Sequence, residues 1–72
     1  MGIPNSVTNI GDSAFWNCRN LETLTIPASV ERVGDWAFDG CDGLATLYVP
    51  ASWQGTDMLD DAGLPPDCNI VY

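Results

Sequence analysis

Ile3-Pro4 recurs as Ile26-Pro27 and again as Val49-Pro50, each pair 23 residues after the one before. Aligning Ile3–Thr25 with Ile26–Tyr48 without a gap gives 12 identities in 23 positions: Ile, Pro, Ser, Val, Gly, Asp, Ala, Phe, Cys, Leu, Thr and Leu, in that order. Ile10 opposite Val33 adds a conservative match. A fixed period of this size is the signature of a solenoid, in which each copy is one supersecondary unit that buries its apolar face on the next. The spacing therefore predicts stacked coils of an α/β repeat, with short parallel strands and short helical turns.

Composition narrows the functional classes. At 72 residues the chain is one domain at most, and a chain so short buries only about 60% of its unfolded surface. Hydrophobic residues make up 46% and mean hydropathy is +0.02, which argues against disorder. Net charge is −8, with two arginines, no lysine and no histidine. Phosphate contacts need a basic surface, so no nucleic acid is expected as a direct ligand. A basic partner suits the balance better. No apolar run is long enough for membrane insertion, and no signal peptide is visible in the chain. Three cysteines cannot close a disulfide framework.

Along the chain, residues 1–2 read as a start and linker segment, residues 3–48 as two repeats, and residues 49–72 as a degenerate repeat forming a C-terminal cap. Leu21–Ile26 reads as a complete strand, with the two-residue alternation of a half-buried ladder, and Pro27 ends it. Val30 and Val33 suit a turn or short bridge with two inward anchors. Gly34, matching Gly11, is expected to supply a backbone angle closed to other residues. Asp35–Cys41 reads as one or two helical turns, N-capped by Asp35. In the third copy Trp53 stands where Val7 and Val30 stood, as a plug, and Asp61 stands in the Phe15 and Phe38 column. Thr56–Gly63 reads as a short helix capped by Thr56 and closed by Gly63. Asn69–Tyr72 returns to register as the last strand, with Ile70 in the Leu24 and Leu47 column and Tyr72 in that of Ile26 and Val49.

The pattern L-x-x-L-x-I-P-x-S-V-x-x-V-G-x-x-A-F-x-x-C is carried by Leu21, Leu24, Ile26, Pro27, Ser29, Val30, Val33, Gly34, Ala37, Phe38 and Cys41. The earlier copy carries it at Ile3, Pro4, Ser6, Val7, Ile10, Gly11, Ala14, Phe15 and Cys18. It resembles the BspA-like leucine-rich repeat, and the match is close over residues 3–49. The resemblance implies a right-handed leucine-rich-repeat solenoid of 23-residue period. It also implies a protein–protein interaction or adhesion module at the end of a longer array, on the cell surface or secreted. No active site and no cofactor come with it.

In such a solenoid the residues pointing out of the strands make the binding surface: Glu22, Thr23, Thr25, Ala45, Thr46, Tyr48, Asn69 and Val71. Tyr48 is the expected anchor, because aromatic side chains dominate interface energetics. Cys18 and Cys41 share a column and read as buried free thiols. Cys68 falls outside that column, and no histidine is present to activate a thiol. The aspartates lack the alternating spacing of a calcium loop, and two small coils offer no cleft for a glycosidase pair. Trp16 and Trp36 are expected on the side opposite the strands, partly exposed, as ordinary packing residues. No nucleophile–base pair, metal cluster or phosphate loop stands out, so an enzyme is not expected. The alternative reading is a free-standing acidic decoy that binds a basic groove as a nucleic-acid mimic or inhibitor. The uncovered N-terminal end, with Ile3, Val7, Ile10 and Phe15, predicts self-association as a homo-oligomer.

Overall fold

The computed structural model describes residues 2–72; Met1, half of the expected linker segment, lies outside the described residues. Among the described residues there are five short strands: β1 (Asn9–Ile10), β2 (Thr23–Thr25), β3 (Arg32–Val33), β4 (Thr46–Tyr48) and β5 (Asn69–Val71). They form two parallel sheets, β1-β3 and β2-β4-β5. Every partner lies 23 residues further on: Ile10 opposite Val33, Leu24 opposite Leu47, Leu47 opposite Ile70. Gly2 forms a parallel bridge with Thr25 at the same separation, so the ladder reaches into the segment before Ile3.

Strands β2 and β4 are short because each has one inward residue to bury before a proline, Pro27 or Pro50, interrupts the donors. Leu24 and Leu47 are fully buried between exposed or half-buried neighbours. Ile26 still donates its N–H to the Tyr48 carbonyl at 2.8 Å, but Pro27 has no N–H to give. Leu24, Leu47, Phe38 and Cys41 are the largest side chains sealed from solvent. Burying a side chain of leucine or phenylalanine size stabilises the fold by roughly 1.5–3 kcal/mol, and the repeat supplies one set per coil.

The side opposite β2, β4 and β5 differs from the sequence expectation. Among the described residues the only helical element is a 3-10 turn at Ala51–Trp53; Asp35–Cys41 and Thr56–Gly63 are chains of turns. Their backbone donors alternate. Phe15 and Asn17 donate to Ala37 and Asp39 of the next coil, both at 2.7 Å, whereas Trp16 and Cys18 close turns onto Ser13 and Phe15. Phe38 donates across to Ala62 at 2.8 Å, and Asp39 and Cys41 close onto Trp36 and Phe38. An α-helix would direct its donors back along its own axis. Here alternate donors tie neighbouring coils together instead. The alternation relies on left-handed residues at Ser13 (φ 56°), Trp36 (φ 55°), Asn17 (φ 61°) and Gly40 (φ 80°).

Repeated polar residues make the coil-to-coil ties. Asp12 Oδ1 accepts the Asp35 backbone N–H at 2.9 Å, so this carboxylate serves the neighbouring coil and Asp35 caps no helix. Ser29 Oγ donates to the Val7 carbonyl at 2.8 Å. The Cys41 thiol donates to the Phe15 carbonyl at 2.9 Å. Gly34 is required for closeness rather than for its backbone angle. It is not left-handed, but a Cβ there would stand 2.4 Å from both the backbone N and Oδ1 of Asp12.

The cap departs from the repeat. Trp53 is buried, as a plug should be. Thr56 Oγ1 donates back to the Trp53 carbonyl at 2.6 Å and caps no helix. Opposite Phe38 the backbone slips: Ala62 is buried and Asp61 is exposed, the reverse of an ungapped alignment. A carboxylate against the phenylalanine stack would lose its hydration without a partner, and the slip puts a methyl group there instead. Tyr72 keeps its place in register, since Val49 donates to Val71 at 2.9 Å, but it is exposed at the end of the stack.

Candidate interaction surface

The parallel register assembles the outward strand residues into two columns. Thr23, Thr46 and Asn69 form one; Thr25, Tyr48 and Val71 form the other. Strands stand about 4.8 Å apart and alternate residues about 7 Å apart, so the columns make a nearly flat patch about 10 Å by 7 Å at the backbone. Glu22 and Ala45 border it and are exposed. Tyr48 stands at the centre of its column and is 44% exposed, an amphipathic ring fixed on a rigid strand. Thr46 and Val71 are half-buried by their neighbours, while Thr23, Thr25 and Asn69 are exposed. Of the eight expected surface residues, the structure thus brings Thr23, Thr25, Thr46, Tyr48, Asn69 and Val71 together in the two columns, with Glu22 and Ala45 at their border.

The three cysteines are free thiols. Burial pushes the Cys41 thiol up, reinforced by Cys18 and Asp42 and opposed by a backbone hydrogen bond at Cys18. Burial alone raises Cys68. Both thiols are thereby disfavoured as nucleophiles, since the thiolate is the reactive form. Among the described residues no group of three or more His, Cys, Asp or Glu side chains is placed to hold a metal ion. No described helix is long and apolar enough to cross a membrane.

The tryptophans are more exposed than packing residues should be. Trp16 is 61% and Trp36 64% exposed, and neither belongs to the core or to the residues packed against it. Their repeat mates gave the only hint in the sequence: Trp16 aligns with Asp39 and Trp36 with Ser13, both polar positions.

Parallel strands stacked at 23-residue separations around a leucine-, valine- and phenylalanine-lined core define a leucine-rich solenoid. The family model described as "BspA type Leucine rich repeat region (6 copies)" matches residues 1–58, and the chain belongs to that family. This is a family of protein-interaction repeats, generally non-catalytic and typically surface-associated. No curated protein and no solved structure matches the chain.

Proposed function

We propose that the chain is a non-catalytic binding module that meets a protein partner through the Thr23–Thr46–Asn69 and Thr25–Tyr48–Val71 columns, with Tyr48 as anchor. The observation that carries this reading is the exposure of Tyr48 at the middle of a three-strand face whose inner residues Leu24 and Leu47 are fully buried and whose Ile70 is half-buried. The ring loses little conformational freedom on binding because its strand is already fixed. The stack is right-handed, with its 23-residue period continuing in a longer surface array that serves adhesion.

The N-terminal face of the Ile3–Thr25 coil supports a second contact. Ile3, Val7, Ile10, Ala14 and Phe15 line a mostly apolar depression of about 240 Å³. Gly11, unlike Gly34, has nothing within 4 Å of where a Cβ would stand. That face suits a further coil of the array or, in the isolated chain, another copy that gives a homo-oligomer. The acidic-decoy alternative rests on the −8 charge, the absence of lysine and the small size.

Binders selected from a display library and mapped by amide chemical-shift changes test the reading. Shifts concentrated on Thr23, Thr25, Thr46, Tyr48, Asn69 and Val71 support it. Shifts spread over the acidic turn side, with affinity collapsing as salt rises, support the decoy instead.

A further inference from the structure

Trp16 and Trp36 stand on adjacent coils at opposite corners of one small backbone frame. Ser13 donates to Asp35 at 3.1 Å, Phe15 to Ala37 and Asn17 to Asp39. This pairing sets Trp16 beside Asp39 and Ser13 beside Trp36. Within each coil the same positions close a turn, Trp16 N–H onto the Ser13 carbonyl and Asp39 N–H onto the Trp36 carbonyl, both at 3.0 Å. Turn ends lie within about 7 Å and paired chains about 4.8 Å apart, so the diagonal between the two tryptophan backbones is about 8 Å. One extended peptide segment spans it.

Neither indole serves the core, and Trp36 is costly where it stands. A bulky residue at φ 55° is a genuine outlier. It is held there by its own N–H to the Asp61 carbonyl at 2.6 Å and by the turn bond from Asp39. Its repeat mate is the small Ser13, at φ 56°. The chain thus keeps a large apolar side chain, largely exposed, at a position suited to glycine. Acidic residues adjoin its backbone. Asp35 precedes it in sequence, Asp39 closes its turn and Asp61 pairs with it from the cap, all three exposed. Of the two arginines, Arg19, three residues after Trp16, is drawn to Asn17 Oδ1 at 2.9 Å, and Arg32 lies four residues before Trp36 on β3.

We infer that the Trp16–Trp36 corner is a docking site for an arginine-bearing segment of a partner protein. Charge complementarity selects a cation, since the surface is aromatic and acidic at once and the whole chain carries −8. The flat guanidinium stacks on an indole face and offers a carboxylate two parallel donors, which a lysine ammonium cannot do. The site is separate from the strand face of the proposed function.

The test titrates the full chain with three peptides of equal length, carrying arginine, lysine or glutamine at the same positions between glycine and serine. The readout is the indole N–H resonances of the three tryptophans. The arginine peptide is expected to shift Trp16 and Trp36 but not buried Trp53, and to bind several-fold tighter than the lysine peptide. Combining Trp16→Ala with Trp36→Gly is expected to weaken it about tenfold, and Asp39→Asn by a few-fold. Trp36→Gly relieves the left-handed backbone, so the variant keeps its melting temperature and the loss is not one of folding. Tyr48→Ala leaves this binding unchanged, which separates the site from the strand face. Equal binding of arginine and lysine peptides, binding of the glutamine peptide, or an unaltered affinity in the double variant overturns the inference.

Discussion

The rings of Phe15 and Phe38 stack with centroids 5.4 Å apart and planes 9° from parallel. They are the same residue of two successive repeats, 23 positions apart, and their stacking is one coil lying on another. Phe38 is sealed between two coils, whereas Phe15 has a neighbour on one side only and is half-buried. Phe38→Ala is therefore expected to cost about 3–5 kcal/mol, enough to unfold a chain of this size, and Phe15→Ala roughly half as much. Urea unfolding followed by far-ultraviolet circular dichroism measures both. Equal costs for the two would contradict the single-ended stack.

Gly34 and Gly11 occupy one column with opposite surroundings. A methyl group at position 34 meets Asp12 at 2.4 Å, and one at position 11 meets nothing within 4 Å. Gly34→Ala is expected to destabilise by about 2 kcal/mol or more, as overpacking and the broken Asp12–Asp35 bond combine. Gly11→Ala is expected to be neutral or slightly stabilising, because it restricts the unfolded chain. Thermal melts of the pair decide the matter, and a matched loss in both would sink the explanation.

The thiols give a pH dependence with a defined sign. Burial raises Cys41 and Cys68, so the folded chain holds those protons more tightly than the unfolded chain. Their stabilising contribution is complete below the unfolded thiol value, about 8.5, and is lost as pH rises through the higher folded values. Stability should fall above that pH, and Cys41→Ala should flatten the fall. Native Cys41 should also resist a thiol reagent at pH 8 that modifies half-buried Cys18. Rapid modification of Cys41 without unfolding would refute its sealed position.

Tyr48 separates stability from binding. Its ring is 44% exposed while Leu47 beside it is wholly buried. Tyr48→Ala should change stability by no more than about 0.5–1 kcal/mol yet cost a strand-face binder about 2 kcal/mol. Leu47→Ala should do the reverse, with a loss of about 2–5 kcal/mol in folding. Calorimetry of folding and binding on both variants reads the two effects apart.

The sequence repeat carried the parallel ladder, because a period imposes equivalent surroundings on equivalent residues: Leu24, Leu47 and Ile70 align in sequence and pair in space. The outward columns followed from the same register. The turn side was not legible. Asp35–Cys41 has helical spacing of Ala37, Phe38 and Cys41, but alternate donors go to the next coil, and that competition is non-local. Left-handed backbone at Trp36 has no signal in a residue type that ordinarily avoids it. The slip that buries Ala62 in place of Asp61 follows from desolvation of a carboxylate, which an ungapped alignment ignores. Gly34 was legible as a constraint but not as its cause, since closeness to Asp12 arises only once the coils stack.

Stacking of one coil on the next at a separation of 23 residues is tested most directly by nuclear Overhauser contacts in the labelled protein. Inter-strand amide to Hα contacts are expected to join Thr23–Thr25 to Thr46–Tyr48 and these to Asn69–Val71, in parallel register. Strong Hα–Hα contacts of an antiparallel ladder, or helical contacts through Asp35–Cys41, would contradict it.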